Sequence, residues 1–292
     1  MSRHRRSLNT LDAMKIGAHL PQWLWRPIGH IVIAVLVARR PRPVRQLAMN
    51  YEVVTGEAPS QAVVRKAMKS WLENVMISLQ LGNWSPRRIR RKVIVDDPPA
   101  WQRLKDLCSQ GGLVIALPHM GCWDLVGAYG GLEELPVTSV AEALPDGQFE
   151  YFRLLREKLG IKIYSTAERH VFELLRDDLD EGRLVSLVSD RDFGRRGVPV
   201  TWDFAAGAME QTLPPGPAML AQQGPHPLMG AATYLGEHRK LHLVLAGPVE
   251  VAPGRQGLID ASQWLTDFFA TQICAHPTDW HMLQRFFKGV TP

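Results

Sequence analysis

Residues 112–124 read Gly-Leu-Val-Ile-Ala-Leu-Pro-His-Met-Gly-Cys-Trp-Asp. An apolar run this short, closed by Pro and Gly, describes a strand buried on both faces of a parallel sheet. Such a strand needs cover on each side, and the chain beyond it supplies the cover. Helical patterns at 100–108, 123–131, 149–159 and 171–181 alternate with apolar strands at 138–141, 161–164 and 184–188. Gly182 closes the last of these helices, and Pro215-Gly216-Pro217 opens another. Two strands near 228–235 and 240–246 and a helix near 257–275 complete the pattern, and Val93–Val95 reads as an edge strand. The βαβ rhythm predicts an α/β fold with a central, mainly parallel sheet and helices on both faces. The expected organisation is one domain over 1–292. Within it, 1–92 is a basic helical, membrane-facing region and 93–292 is the α/β core.

Charge separates these two parts. Residues 1–92 hold 17 Lys and Arg against 4 Asp and Glu, while the rest of the chain holds 17 against 25. A basic flank on an acidic body points to an anionic partner, either nucleic acid or acidic lipid. No nucleic-acid-binding module accompanies the basic patches, and their neighbouring tryptophans sit in apolar runs, which favours lipid. The segment 27–38 is apolar but too short to span a bilayer, which needs about 20 residues. Trp23 and Trp25 precede it, and Arg39, Arg40 and Arg42 follow. That arrangement fits a helix lying at a membrane interface, and equally a core helix with a solvated basic end. The stripe Val64, Ala67, Met68, Trp71, Val75, Leu79 predicts a packed helix over 59–82, and 86–92 reads as a solvated basic turn. Arg3-His4-Arg5-Arg6 is not followed directly by an apolar core or a small-residue cleavage site, so no secretory signal is expected. Cys108, Cys122 and Cys274 form no CxxC pair and predict neither a disulfide frame nor a zinc site.

The chemistry concentrates at strand ends. His119 follows the 112–117 strand at its carboxyl end, where open α/β sheets place their ligand crevices. Asp124 opens the next helix, after four intervening residues. The pair reads as a general base with an orienting carboxylate, without an obvious nucleophilic side chain. This suits attack by a substrate hydroxyl on an activated acyl group. The amides of Gly121 and Cys122 are candidate oxyanion donors. Asp190-Arg191-Asp192 ends another strand and faces the same crevice if the two strands are neighbours; Arg191 suits a phosphate, hydroxyl or carboxylate. Glu142 joins them by the same topological argument. Neither a Walker A motif, nor G-x-G-x-x-G after a strand, nor a G-x-S-x-G elbow is present, so no cofactor is expected. His276 and His281 lack companions for a metal.

The segment Leu117-Pro118-His119-Met120-Gly121-Cys122-Trp123-Asp124 resembles the HX4D/E motif of bacterial glycerolipid and lipid A-type acyltransferases. Val140-Ala141-Glu142, Ser189-Asp190-Arg191-Asp192-Phe193 and His276-Pro277-Thr278-Asp279-Trp280-His281-Met282-Leu283-Gln284 resemble, more narrowly, actinobacterial phosphatidylinositol mannoside acyltransferases. Pro215-Gly216-Pro217-Ala218 matches the wider pattern, and Phe204-Ala205-Ala206-Gly207 departs from the aromatic pair that relatives carry before glycine. The resemblance implies an acyltransferase-like fold and transfer of a fatty acyl chain, such as palmitoyl, from acyl-CoA to a mannose hydroxyl. The acceptor would be an anionic glycophospholipid at the cytoplasmic face of the plasma membrane, and the protein peripheral. His119 would be the base, Asp124 its partner, and Glu142, Asp190, Arg191 and Asp192 substrate-binding. Thioesterase, lysophospholipid acyltransferase and non-catalytic lipid-binding readings stay open at this point.

Overall fold

The computed structural model of the chain describes residues 10–292 except Asp146, Phe193, Arg195 and Pro225. The basic Arg3–Arg6 run and Phe193 of the strand-end motif therefore lie outside the described residues. The N-terminal part forms α1 (Thr10–His19), α2 (Gln22–Arg39), α3 (Arg42–Thr55), α4 (Gln61–Gln80) and α5 (Pro86–Lys92). The core then runs β1 (Val93–Val95), α6 (Pro98–Gly111), β2 (Leu113–Leu117), α7 (Trp123–Leu132), β3 (Val137–Ala141), α8 (Gln148–Glu157), β4 (Lys162–Ser165), α9 (Val171–Asp180) and β5 (Leu184–Val188). It closes with β6 (Val198–Phe204), β7 (Gly207–Leu213), α10 (Gly216–Gln223), β8 (Leu228–Leu235), β9 (Leu241–Val249) and α11 (Gly254–Ala275).

Seven strands form one sheet in the order β1-β9-β8-β2-β5-β3-β4, parallel except for the β8–β9 pair. The expected α/β architecture is therefore present, with β1 at the edge as the sequence predicts. β2 alternates faces. Val114 and Ala116 pack toward α9, α10 and α11, and Leu113, Ile115 and Leu117 pack toward α6 with Trp101 and Leu104. All five β2 residues are buried, as a central strand covered on both sides must be. Gly112, at φ +82°, leads into β2; a Cβ there would lie 2.2 Å from the Leu179 carbonyl oxygen, so only glycine fits.

Three elements differ from the sequence expectation. Residues 86–92, read as a turn, are the helix α5. Ser85 caps it by accepting from the Arg88 amide, and Pro86 takes the first helical position. Arg42, read as the solvated flank of the preceding helix, instead starts α3, which Gly56 ends in a left-handed conformation. Finally, β6 and β7 form a separate antiparallel hairpin. Trp202 from this hairpin is fully buried and stacks on Phe204 and Phe269.

Candidate active site

β2 and β5 are direct neighbours, with Leu117 opposite Val188. Because both strands point the same way, two further residues bring His119 opposite Asp190. The structure uses this register: Asp190 accepts from the His119 amide at 3.0 Å and pairs with the His119 ring Nδ1 at 2.5 Å. Trp280 Nε1 donates to the same carboxylate at 2.9 Å. Asp190 is buried. Burial alone opposes its ionisation, yet His119, the Trp280 indole and the His119 amide hold its carboxyl below the ordinary range.

Asp124 is not the partner of His119. It is buried and receives the Arg156 guanidinium through Nε at 2.7 Å and Nη2 at 3.2 Å. Arg156, on α8, and a hydrogen bond from Ser78 outweigh burial and hold the Asp124 carboxyl low. The physical reason lies in helix geometry: Asp124 sits in the first turn of α7 and faces α8, whereas the His119 ring turns toward β5. The HX4D spacing thus serves a buried ion pair that ties α7 to α8, and the orienting carboxylate comes from the neighbouring strand.

The amides expected as oxyanion donors are also occupied. Gly121 donates to the Asp279 carbonyl at 2.9 Å and Cys122 donates to Thr233 Oγ1 at 3.1 Å. Thr233 in turn donates to the Met120 carbonyl at 2.7 Å. Gly121 has φ +61°, and a Cβ there would lie 2.4 Å from the Thr233 carbonyl oxygen. The Pro-His-Met-Gly turn is therefore clamped against β8.

The remaining predicted residues line one groove of about 590 Å³ with His119: Glu142, Arg191 and Asp192, together with Trp123 and His281. Glu142 is exposed at the end of β3. Asp192 also shapes its own loop, accepting from the Gly194 amide at 2.7 Å and from Thr212 Oγ1 at 2.9 Å. A third of the His119 side chain is exposed. With Nδ1 engaged by Asp190, Nε2 is the nitrogen left for a substrate. Behind the groove lies a narrow apolar slot between the sheet and helices α6 and α7. Trp123, Gly127, Val137 and Ser186 line both spaces, so the slot, of only about 30 Å³, adjoins the groove.

Residues 9–289 match the family model described as bacterial lipid A biosynthesis acyltransferase. The chain belongs to this acyltransferase family. A phosphatidylinositol mannoside acyltransferase of Mycolicibacterium smegmatis is 30% identical over 253 residues, covering 82% of this chain and 78% of the relative. One of the same name from Mycobacterium tuberculosis is 37% identical over 176 residues, covering 59% of this chain and 54% of that protein.

In this lipid A-type acyltransferase the C-terminal tail, noted in the sequence only for its resemblance, braces the site. His281 donates its amide to the His119 carbonyl at 2.8 Å, and its ring lies 3.1 Å from Ser70 Oγ. Burial, with the nearby His119, pushes His281 down to about 3, so this ring stays neutral. Asp279 bonds Ser70 and the Leu235 amide. Trp280, His281 and Arg156 were not among the sequence candidates. The tail motif carried a signal for the first two; Arg156 has none, since it sits on an ordinary amphipathic helix 32 residues from its partner.

Among the N-terminal candidates, Trp23 is 76% exposed and Trp25 only 5%. Trp25 faces inward, against Ala18, Met76 and Leu79, so it is withdrawn as a surface contact. Arg39, Arg40 and Arg42 are exposed. Among the described residues no helix is long and apolar enough to cross a membrane.

Proposed function

We propose that this acyltransferase moves a fatty acyl chain from acyl-CoA to a mannose hydroxyl of a phosphatidylinositol mannoside, with His119 as general base and Asp190 as its partner. The observation that carries the reading is the groove around His119, which joins Glu142, Arg191 and Asp192 to an apolar wall of Val137, Val140, Phe152, Ile161 and Leu187. The apolar wall suits an acyl chain, which gains about 0.8 kcal/mol per buried CH₂. The groove, with Glu142, Arg191 and Asp192 along it, suits a polar sugar. The names of the relatives support the choice of acceptor.

In this mechanism the acceptor hydroxyl gives its proton to His119 Nε2 while its oxygen attacks the thioester carbonyl. Asp190 stabilises the imidazolium as it forms and fixes the ring through Nδ1. Collapse of the tetrahedral intermediate breaks the C–S bond, and His119 returns the proton to the CoA thiolate. The outward Trp23, Ile28, Ile31, Val32 and Val35 of α2, with Arg39, Arg40 and Arg42, would hold the enzyme on an anionic leaflet. Each basic residue near the surface adds about 1 kcal/mol. The reaction would then take place at the cytoplasmic face of the plasma membrane, with the protein peripheral.

The test incubates purified enzyme with palmitoyl-CoA, with and without the acceptor, and follows CoA release and acylated lipid by mass spectrometry. Acceptor-dependent product is expected, falling by about 10²–10⁴ in His119→Ala. CoA release independent of acceptor would make the enzyme a thioesterase, and unchanged turnover in the variant would remove His119 from the mechanism.

A further inference from the structure

Outside the lining of the groove, four elements bring together a set of cations that their surroundings do not balance. Glu73 on α4, 1% exposed, accepts from Arg26 of α2 at 2.8 Å. It also accepts from Arg239 in the turn between β8 and β9. One carboxylate thus holds two guanidiniums. The Nε of each is buried and has no hydrogen-bond partner. Lys69 stands one turn before Glu73 on α4, and His30 one turn after Arg26 on α2. Lys92 ends α5, and Lys240, beside Arg239, donates to the Arg91 carbonyl.

Two titratable groups in the cluster are displaced mainly by burial, and neighbouring cations act in the same direction. Burial pushes Lys92 down to about 8; Glu73 opposes the shift, and Arg239, Arg26 and Lys240 add to it. His30 is lowered by burial and then by Lys69, Arg239 and Arg26. The turn itself is held in an unfavourable conformation, since His238 and Arg239 both have left-handed backbones (φ 51° and 59°) without being glycine. That conformation delivers Arg239 to the cluster.

We propose that Arg26, Arg239, Lys92 and Lys69 form a binding site for a phosphate oxyanion, engaged by the two guanidiniums, whose side chains are 27% and 40% exposed. An arginine fork matches phosphate geometry, and a dianion would neutralise the surplus that Glu73 leaves. Two sources share this chemistry. One is the headgroup of an anionic phospholipid, brought close by the exposed apolar stripe on α2. The other is the phosphates of a soluble nucleotide-type donor such as CoA. The site does not depend on the acyl-transfer reading, and its test does not use turnover.

Calorimetry of the full chain with inorganic pyrophosphate and with CoA, and co-sedimentation with phosphatidylglycerol against phosphatidylcholine vesicles at fixed salt, test the proposal. Arg239→Gln and Lys92→Gln are each expected to weaken pyrophosphate binding by about tenfold. Glu73→Gln, which removes the competing charge, is expected to tighten it. Arg255→Gln, exposed at the start of α11 and outside the cluster, is expected to leave it unchanged, and melting curves confirm that each variant is folded. Loss of vesicle binding alone in the cluster variants identifies a lipid headgroup, and loss of CoA binding alone identifies the soluble donor. Pyrophosphate binding that is equal in wild type and Lys92→Gln, or lost equally in Arg255→Gln, overturns the proposal.

Discussion

Two aspartates compete for the same description in the sequence, and the structure separates their work. Asp190 touches the His119 ring, and Asp124 touches Arg156. Asp190→Asn is therefore expected to lower kcat by about 10³–10⁴ with little change in KM, because an amide no longer fixes the ring tautomer or stabilises the imidazolium. Asp124→Asn breaks a buried pair and is expected to cost about 3–5 kcal/mol of stability, read from denaturant midpoints. The pH dependence follows from the lowered Asp124 carboxyl. Its contribution is present above the unfolded carboxyl value and is lost as pH falls through the folded one, so the window lies below about pH 4. Denaturation curves between pH 2 and 5 should show that slope in the wild type and a shallower one in Asp124→Asn. An Asp124→Asn enzyme that is fully stable but loses turnover as Asp190→Asn does would reverse the assignment. His119 was legible because a histidine ending a buried strand stands out. Its partner was not, because the 71 residues between His119 and Asp190 are bridged only by strand pairing.

At the scale of the element, α2 shows why a tryptophan pair in sequence does not define a surface. Apolar residues run all the way round it: Ile33 and Val37 face inward, while Ile28, Ile31, Val32 and Val35 face out. Without a polar side the hydrophobic period has no direction, and only packing against α1 and α4 sets the rotation. Trp25→Ala is expected to cost about 3–5 kcal/mol of stability. Trp23→Ala should stay within about 0.5 kcal/mol and instead weaken binding to anionic vesicles. Chemical denaturation and vesicle co-sedimentation on the same two variants check both expectations; equal stability loss would mean that α2 is rotated. The β6 hairpin strand gives the opposite lesson. Val198, Val200, Trp202 and Phe204 alternate with exposed residues, a pattern visible in the sequence. Its partner, Gly207–Leu213, has no such alternation and carries no such mark.

Across the whole molecule, the groove at the carboxyl end of the sheet combines the polar Glu142, Arg191 and Asp192 with a broad apolar lining, and Gly127 of α7 is part of its wall. A Cβ at Gly127 would lie 2.8 Å from Ile161 Cδ1, the end of a flexible side chain that can shift, whereas a leucine would take up part of the apolar groove. Gly127→Leu is expected to lower turnover of palmitoyl-CoA at least about tenfold relative to butyryl-CoA, because the binding energy of the long chain is no longer available. Competition between the two donors reads the ratio directly, and an unchanged ratio would remove this wall of the groove as the place for the chain.

The sequence by itself determined the layered α/β fold, the placing of His119 at a strand end, and the charge division between the helical region and the core. These are carried by local periodicity and composition, which act over a few residues at a time. The tertiary structure alone decided which carboxylate serves His119, that the Gly121 and Cys122 amides are already bonded, which tryptophan of α2 faces out, and that Arg26 and Arg239 converge on Glu73. Each of these depends on strand order or helix rotation, fixed when distant apolar faces are buried together, and no local pattern in the chain encodes that choice.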